Sequence, residues 1–490
     1  MRRAPSLLIR NAEIGGRPGL DLLTADGRIA AIGPGLATRA ADRVVEAAGG
    51  ALIPGLIDHH IHLLALAAQA DSLRLDDDAP ATPQAFAVRL QAAAQRTPPG
   101  RWLRATGYDE AMAGVLDRTV LDRLLPDTPV RIQHRTGALW LLNSAALALL
   151  LADGAPTPDG LERQGGAPTG RLFRGDAWLA ERLGPVTPDL GRVGADLARC
   201  GITGVTDASA VTDAARAGTL ADAHRTMALP QRLTLMSAGP LAPPDDGAFK
   251  VGPVKLLLDD ADLPDFEATL DVARAARRQG RALAVHCVTE GELAFALALW
   301  STAGALPGDR IEHGGIIHPE AAAEVAALGL TVVTQPHFIR ERGDRYLATI
   351  DPRDLTALYP CASLLRAGVR VAAGSDAPYG SADPWLAIEA ATQRTTRAGA
   401  PLGPAERITA RRALGLYLGA AAAPGGPERR VEVGAAADLC LLDAPLREVL
   451  AAPNSERVLA TLVDGAVVHH RPHGRPACLT SVGGKFVMMN

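Results

Sequence analysis

From Val254 onward, short β-type runs alternate with helical stretches, and this repeat limits the fold more than any other feature of the chain. Val254-Lys255-Leu256-Leu257-Leu258 is followed by a helical stretch from Phe266 to Arg278 and then by Ala282-Leu283-Ala284-Val285-His286. Further helical stretches separate Arg310-Ile311-Glu312-His313, Thr331-Val332-Val333-Thr334 and Val369-Arg370-Val371-Ala372-Ala373. Strands joined through helices run parallel, and a parallel sheet has to be covered by those helices. Eight strands are predicted, at residues 51–57, 204–207, 232–236, 254–258, 282–286, 310–313, 331–334 and 369–374. The expected fold class is α/β, a (β/α)₈ TIM barrel.

The gap between the first two strands is far too long for one crossover, so residues at about 65–190 are read as a subdomain inserted after the first barrel strand. Both ends are β-rich. Residues 1–53 contain runs at Leu7, Leu20, Ile29 and Val44, and residues 427–470 contain runs at Arg430, Asp438, Ala460 and Ala466. These predict a composite β-sandwich made by both termini, with 54–426 as the barrel and 471–490 as a tail without a clear element.

The net charge of −4 is spread in mixed sign along the chain, which argues against a nucleic-acid partner. No uninterrupted apolar run reaches membrane-spanning length, and the N-terminus lacks the apolar core of a signal peptide. The five cysteines are scattered and form no CxxC pair, which fits a reducing, cytoplasmic setting. The expected partner is a small-molecule substrate, and a homo-oligomer is compatible with the chain.

The strongest chemical signal is Ile57-Asp58-His59-His60-Ile61-His62. On a strand, residues two apart share a face, so His60 and His62 project together as two imidazoles on one metal must. His59 points away. His286 and His313 end two further predicted strands, and Asp376 follows the last in Gly374-Ser375-Asp376. Barrel enzymes carry their chemistry at the C-terminal strand ends, and nitrogen and oxygen donors there form a metal-ligand set. Lysine is nearly absent from the chain, yet Lys255 sits in an apolar strand. A buried ammonium is costly. Lys255 is therefore either paired, with Asp259, Asp260 or another barrel carboxylate, or neutral and able to take up CO₂ as a carbamate. His337, Tyr108, Arg135 and Asn143 are candidates for touching substrate; Cys287, next to His286 on a strand, faces the other way and is expected in the core.

This constellation resembles the amidohydrolase superfamily, and within it the amidohydrolase-3 group of YtcJ-like proteins and N-substituted formamide deformylases. The resemblance runs from Ala51-Leu52-Ile53-Pro54-Gly55-Leu56-Ile57-Asp58 through Gly107-Tyr108-Asp109, Asn143-Ser144-Ala145, Pro168-Thr169-Gly170, Arg310-Ile311-Glu312-His313 and Gly374-Ser375-Asp376 to Glu432-Val433-Gly434. It implies that His60 and His62 bind one metal and His286 and His313 another. It also implies that Lys255 bridges them as a carbamate and that Asp376 ligates metal and moves protons. The implied cofactor is two zinc ions, with manganese or iron as substitutes. The chain departs from the group at Ala138, where relatives often carry histidine, at Arg174, where they tend to carry glutamate, and in the short Asp259-Asp260-Ala261-Asp262 loop. The expected reaction is metal-assisted hydrolysis of a non-peptide carbon–nitrogen bond, with Asp376 as proton carrier. Rivals are a deaminase or esterase on the same scaffold and a non-catalytic relative.

Overall fold

A computed structural model describes residues 6–38, 41–70, 72–75, 82–98, 100–152, 154, 157–183, 189–471, 478–482 and 485–489. Two compact units result, 64–189 and the remainder of the chain.

The larger unit contains an eight-stranded parallel sheet whose strands lie side by side in chain order. They are β1 (Leu56–Ile61), β2 (Ile202–Asp207), β3 (Arg232–Ser237), β4 (Lys250–Leu256), β5 (Leu283–Cys287), β6 (Arg310–His313), β7 (Thr331–Thr334) and β8 (Arg370–Ala373). Strands β1, β2, β6 and β7 are buried at every residue, as a sheet covered on both faces requires. The two edges meet through the loop after β8: Asp376 N–H donates to His60 O at 2.7 Å, and His62 N–H donates to Ala377 O at 2.8 Å. The fold is a (β/α)₈ barrel.

The first predicted strand is in fact two. Ala51–Pro54 pairs antiparallel with Leu439–Leu442 in another sheet, and only Leu56–Ile61 enters the barrel. Pro54 has no N–H to give a ladder, and Gly55 makes the crossing possible. A Cβ on Gly55 would lie 2.1 Å from Thr203 Cγ2 on β2, so no larger residue lets the strands approach. The lysine strand starts earlier and ends earlier than its apolar run, because Leu257 lies exposed beyond its end.

Caps set where the helices leave the strand ends. Thr289 and Glu292 form a reciprocal capping box that starts the helix Glu290–Ala303 shortly after His286. Such a cap contributes on the order of 1 kcal/mol and fixes the direction of the chain at the barrel mouth.

The two termini share one connected ten-stranded sheet. Leu7, Ile9, Leu22, Ile29, Leu52, Leu439, Leu441 and Leu459 form its common core. Arg430–Val433, read as a strand, forms none, while Arg28 bridges to Ala436 instead. The tail also carries structure: Cys478–Val482 and Lys485–Met489 pair antiparallel, and the second joins Arg43–Glu46. The rest of 472–490 lies outside the described residues.

The unit 64–189 has its own six-stranded sheet, centred on Leu103–Tyr108, Val130–His134 and Leu139–Leu142. Phe86, Leu90, Leu103, Tyr108, Ile132 and Leu141 fill a core on one face. Among the described residues no helix is long and apolar enough to cross a membrane.

Candidate metal centre

Alternation along β1 aims Asp58 and His60 to one side, with His62 continuing the series just past the strand end. Asp58 Oδ1 accepts from His60 N–H and from Ser375 N–H, both at 3.0 Å. It thereby clamps the loop after β8 onto β1. Burial pushes the Asp58 carboxyl up to about 6. Gly374 completes the clamp, since a Cβ there would fall 2.5 Å from His60 Cβ and His60 N.

The clamp brings Asp376 to the histidines. Asp376 Oδ1 lies 3.3 Å from His60 Nε2 and 3.2 Å from His62 Nε2. The three donor atoms lie within 4.8 Å of one another. Imidazole and carboxylate ligands at metal bond lengths of about 2.0–2.2 Å stand at this kind of separation. His60 Nε2 is buried and, among the described residues, has no hydrogen-bond partner of its own. A buried lone pair without a donor is costly unless an ion occupies its axis, so the residues fit a divalent cation.

The imidazoles continue in a row. Ring centroids are 5.3 Å apart for His62 and His60, 4.7 Å for His60 and His313, and 4.6 Å for His313 and His286. Strand alternation alone would not place His313 here, because it is in register with Cys287, which faces the core with its thiol on Glu292 O. A left-handed backbone, φ +72°, re-aims it. Asp376 is also left-handed, at φ +52°. Non-glycine residues seldom adopt this conformation, and strain of this kind gathers at functional sites.

Lys255 is 1% exposed on β4. Burial pushes its ammonium below the ordinary value, with Arg310 acting in the same direction and Glu312 and Asp376 opposing. The carboxylates that act on it are thus Glu312 and Asp376, while Asp259 and Asp260 are exposed. Burial, together with Lys255, pushes His286 down to about 4, and burial keeps His313 well below its ordinary value. Both rings are therefore neutral, the form that ligates metal. Burial raises the Asp376 carboxyl, but the adjacent imidazoles of His60 and His62 outweigh it and hold Asp376 well below the usual carboxylate range.

Sequence reasoning missed the groups behind the ligands. His60 Nδ1 contacts the Glu312 carboxylate, and Arg310 Nε donates to the other Glu312 oxygen. Arg310 Nη2 donates to His59 O at 2.7 Å. His62 Nδ1 lies 3.1 Å from Ser209 Oγ, and His313 Nδ1 lies 2.9 Å from Gln335 Oε1. The available signal was Arg310-Ile311-Glu312, two opposite charges two residues apart on a strand that otherwise reads as core.

The substrate candidates are placed differently. Asn143 uses both ends of its amide inside the 64–189 unit: Nδ2 donates to Leu125 O and Thr128 O, and Oδ1 accepts from Val130 N and Ala146 N. Tyr108 OH donates to Gly114 O at 2.6 Å from a buried ring. Arg135 is exposed and paired with Asp109. His337 is 1% exposed; its Nε2 donates to Ser375 O at 3.0 Å, beside the Asp376 loop. A second acid–histidine group, Glu290, His318 and Asp354, also carries Arg353 on both carboxylates and forms an ion-pair network joining the loops after β5, β6 and β7.

A barrel with imidazoles and a carboxylate converging at its C-terminal strand ends defines a metal-dependent hydrolase. The profile described as Amidohydrolase family matches residues 43–469, and the chain belongs to that family. It is similar to N-substituted formamide deformylase of Arthrobacter pascens, at 28% identity over 78% of this chain and 81% of the relative. YtcJ of Bacillus subtilis (strain 168) is also 28% identical, over 71% of this chain and 74% of its own. Among solved structures, an uncharacterized metal-dependent hydrolase from Pyrococcus horikoshii superposes with a TM-score of 0.73 at 19% identity, covering 95% of this chain and all of the other.

Proposed function

We propose that the protein hydrolyses a small amide, an N-formyl or N-acyl amine or a cyclic amide, with His60, His62, His286, His313, Lys255 and Asp376 holding two divalent cations, zinc in the first instance. The observation that carries the reading is the approach of Asp376 Oδ1 to both His60 Nε2 and His62 Nε2, at 3.3 and 3.2 Å. Similarity to a formamide deformylase supports the substrate class.

Bound cations there would lower the pKa of water and polarise the substrate carbonyl. The protein's own part rests on Asp376. Its carboxyl, held well below the ordinary range, is ionised at neutral pH. As the water oxygen bonds to the carbonyl carbon, Asp376 takes the water proton; as the C–N bond breaks, it returns that proton to the departing nitrogen. A carboxylic acid and an amine result. Lys255, with its ammonium disfavoured by burial, is read as the neutral amine that adds CO₂, releases a proton and becomes an anionic ligand.

A panel of N-formyl amines, N-acyl amino acids, hydantoins and simple esters, assayed with added zinc or manganese, tests the proposal. Release of amine from the amides supports it. Turnover confined to esters, or ammonia freed from an amino-substituted ring, would replace it with the esterase or deaminase reading.

A further inference from the structure

Each of three imidazoles in the row presents Nδ1 to an oxygen, but the oxygens differ. His62 has the Ser209 hydroxyl at 3.1 Å, His313 has the Gln335 amide oxygen at 2.9 Å, and His60 alone has a carboxylate, Glu312. Glu312 is fully buried, in register with His286 on the interior face of the barrel. Its second oxygen is occupied by Arg310, itself 1% exposed. Arg310 also reaches across to β1 and donates to the His59 carbonyl, one residue from His60.

This arrangement has a directional consequence. A carboxylate accepts only, so the proton shared with it sits on His60 Nδ1, and Nε2, the nitrogen that faces Asp376 and His62, is the ring atom left to meet a cation. Hydroxyl and amide partners bind a ring more weakly than an anion does. Arg310 anchors Glu312 to the strand that carries His60, so ring and carboxylate cannot drift apart independently.

We infer that Glu312, anchored by Arg310, is the positioning residue of the metal centre: it fixes the tautomer and orientation of His60 and thereby sets the affinity for the cation shared with His62 and Asp376. Ser209 and Gln335 play the same part for their rings with smaller effect. The inference rests on the proposed ligand role of His60. Partners of metal-ligating histidines typically change affinity by about 10- to 100-fold when altered.

The test is a zinc titration against a competing chelator on the full chain, with the absorption spectrum of the cobalt-loaded protein as a second readout. Glu312→Gln should weaken zinc binding at the site of His60, His62 and Asp376 about 10- to 100-fold and alter the cobalt bands, while Ser209→Ala changes affinity by less than that. Glu312→Asp, which keeps the anion, should recover part of the loss and serves as the readout should Glu312→Gln not fold. A denaturant midpoint measured on each variant separates the two roles. Lower stability with unchanged affinity and unchanged cobalt spectrum would make Glu312 a core ion-pair partner only and overturn the inference. A wild-type chain that binds no zinc would instead remove the ligand reading beneath it.

Discussion

Gly374→Ala is the smallest change that should dismantle the centre without touching a ligand. The added methyl would lie 2.5 Å from His60 Cβ and from His60 N, and 2.9 Å from His60 Cα. Ordinary carbon contacts are about 3.5–4.0 Å, so the loop after β8 has to retreat by roughly 1 Å. Two of the neighbours are backbone atoms of a buried strand and cannot swing aside. The same loop carries Asp376, tied to β1 by Asp376 N–H to His60 O and by Ser375 N–H to Asp58. Retreat therefore stretches those bonds and the 3.2–3.3 Å approach of Asp376 Oδ1 to the imidazoles together. Overpacking of this kind costs about 1–3 kcal/mol. Urea unfolding of the metal-free protein should show that loss, and a zinc competition titration should show affinity lowered by at least tenfold. Gly218→Ala is the control: it lies in the helix Ala214–Arg225 with nothing within 4 Å of where its methyl would sit, and helix propensity should make it neutral or slightly stabilising. Wild-type stability and zinc affinity in Gly374→Ala would refute the steric argument.

Asp376→Asn keeps an oxygen donor and removes the base, so kcat in the metal-loaded enzyme should fall by roughly 10²–10⁴, measured on the best amide of the panel; near-normal turnover would move the proton transfer elsewhere. Lys255→Ala should bind fewer zinc ions per chain by elemental analysis and lose most activity, with partial rescue by short carboxylic acids; a full metal complement would count against a bridging role. Tyr108→Phe removes the hydrogen bond to Gly114 O and should cost about 1 kcal/mol of stability while leaving kcat and KM unchanged; a raised KM would return Tyr108 to the substrate site.

Much of this protein is legible in one dimension because its repeats are local. A βα unit needs only a short apolar run and a following helix, so the strands Arg310–His313 and Thr331–Thr334 emerge from the sequence with their observed bounds. The candidate ligands are legible for the same reason, since strand ends converge in any such barrel. The division of the 51–61 segment is not legible, because its split at Pro54-Gly55 depends on Thr203, far away along the chain, leaving no room for a Cβ. Nor are the tail strands, since Lys485–Met489 pairs with Arg43–Glu46 from the opposite end.

What the sequence by itself determined is the inventory: which strands carry or lead to the candidates His60, His62, Lys255, His286, His313 and Asp376, and that these residue types suit a metal. Tertiary structure alone decided their mutual geometry. The left-handed turn at His313 reverses the direction that strand alternation assigns to it, and the Asp58–Ser375 bond sets Asp376 against the histidines across 317 residues of chain. Glu312 became a partner of His60 only when β6 and β1 faced each other across the closed barrel. Periodicity reports which side of a strand a residue occupies, but the atom it meets there is chosen by strands that are distant in sequence and adjacent only after the barrel has closed.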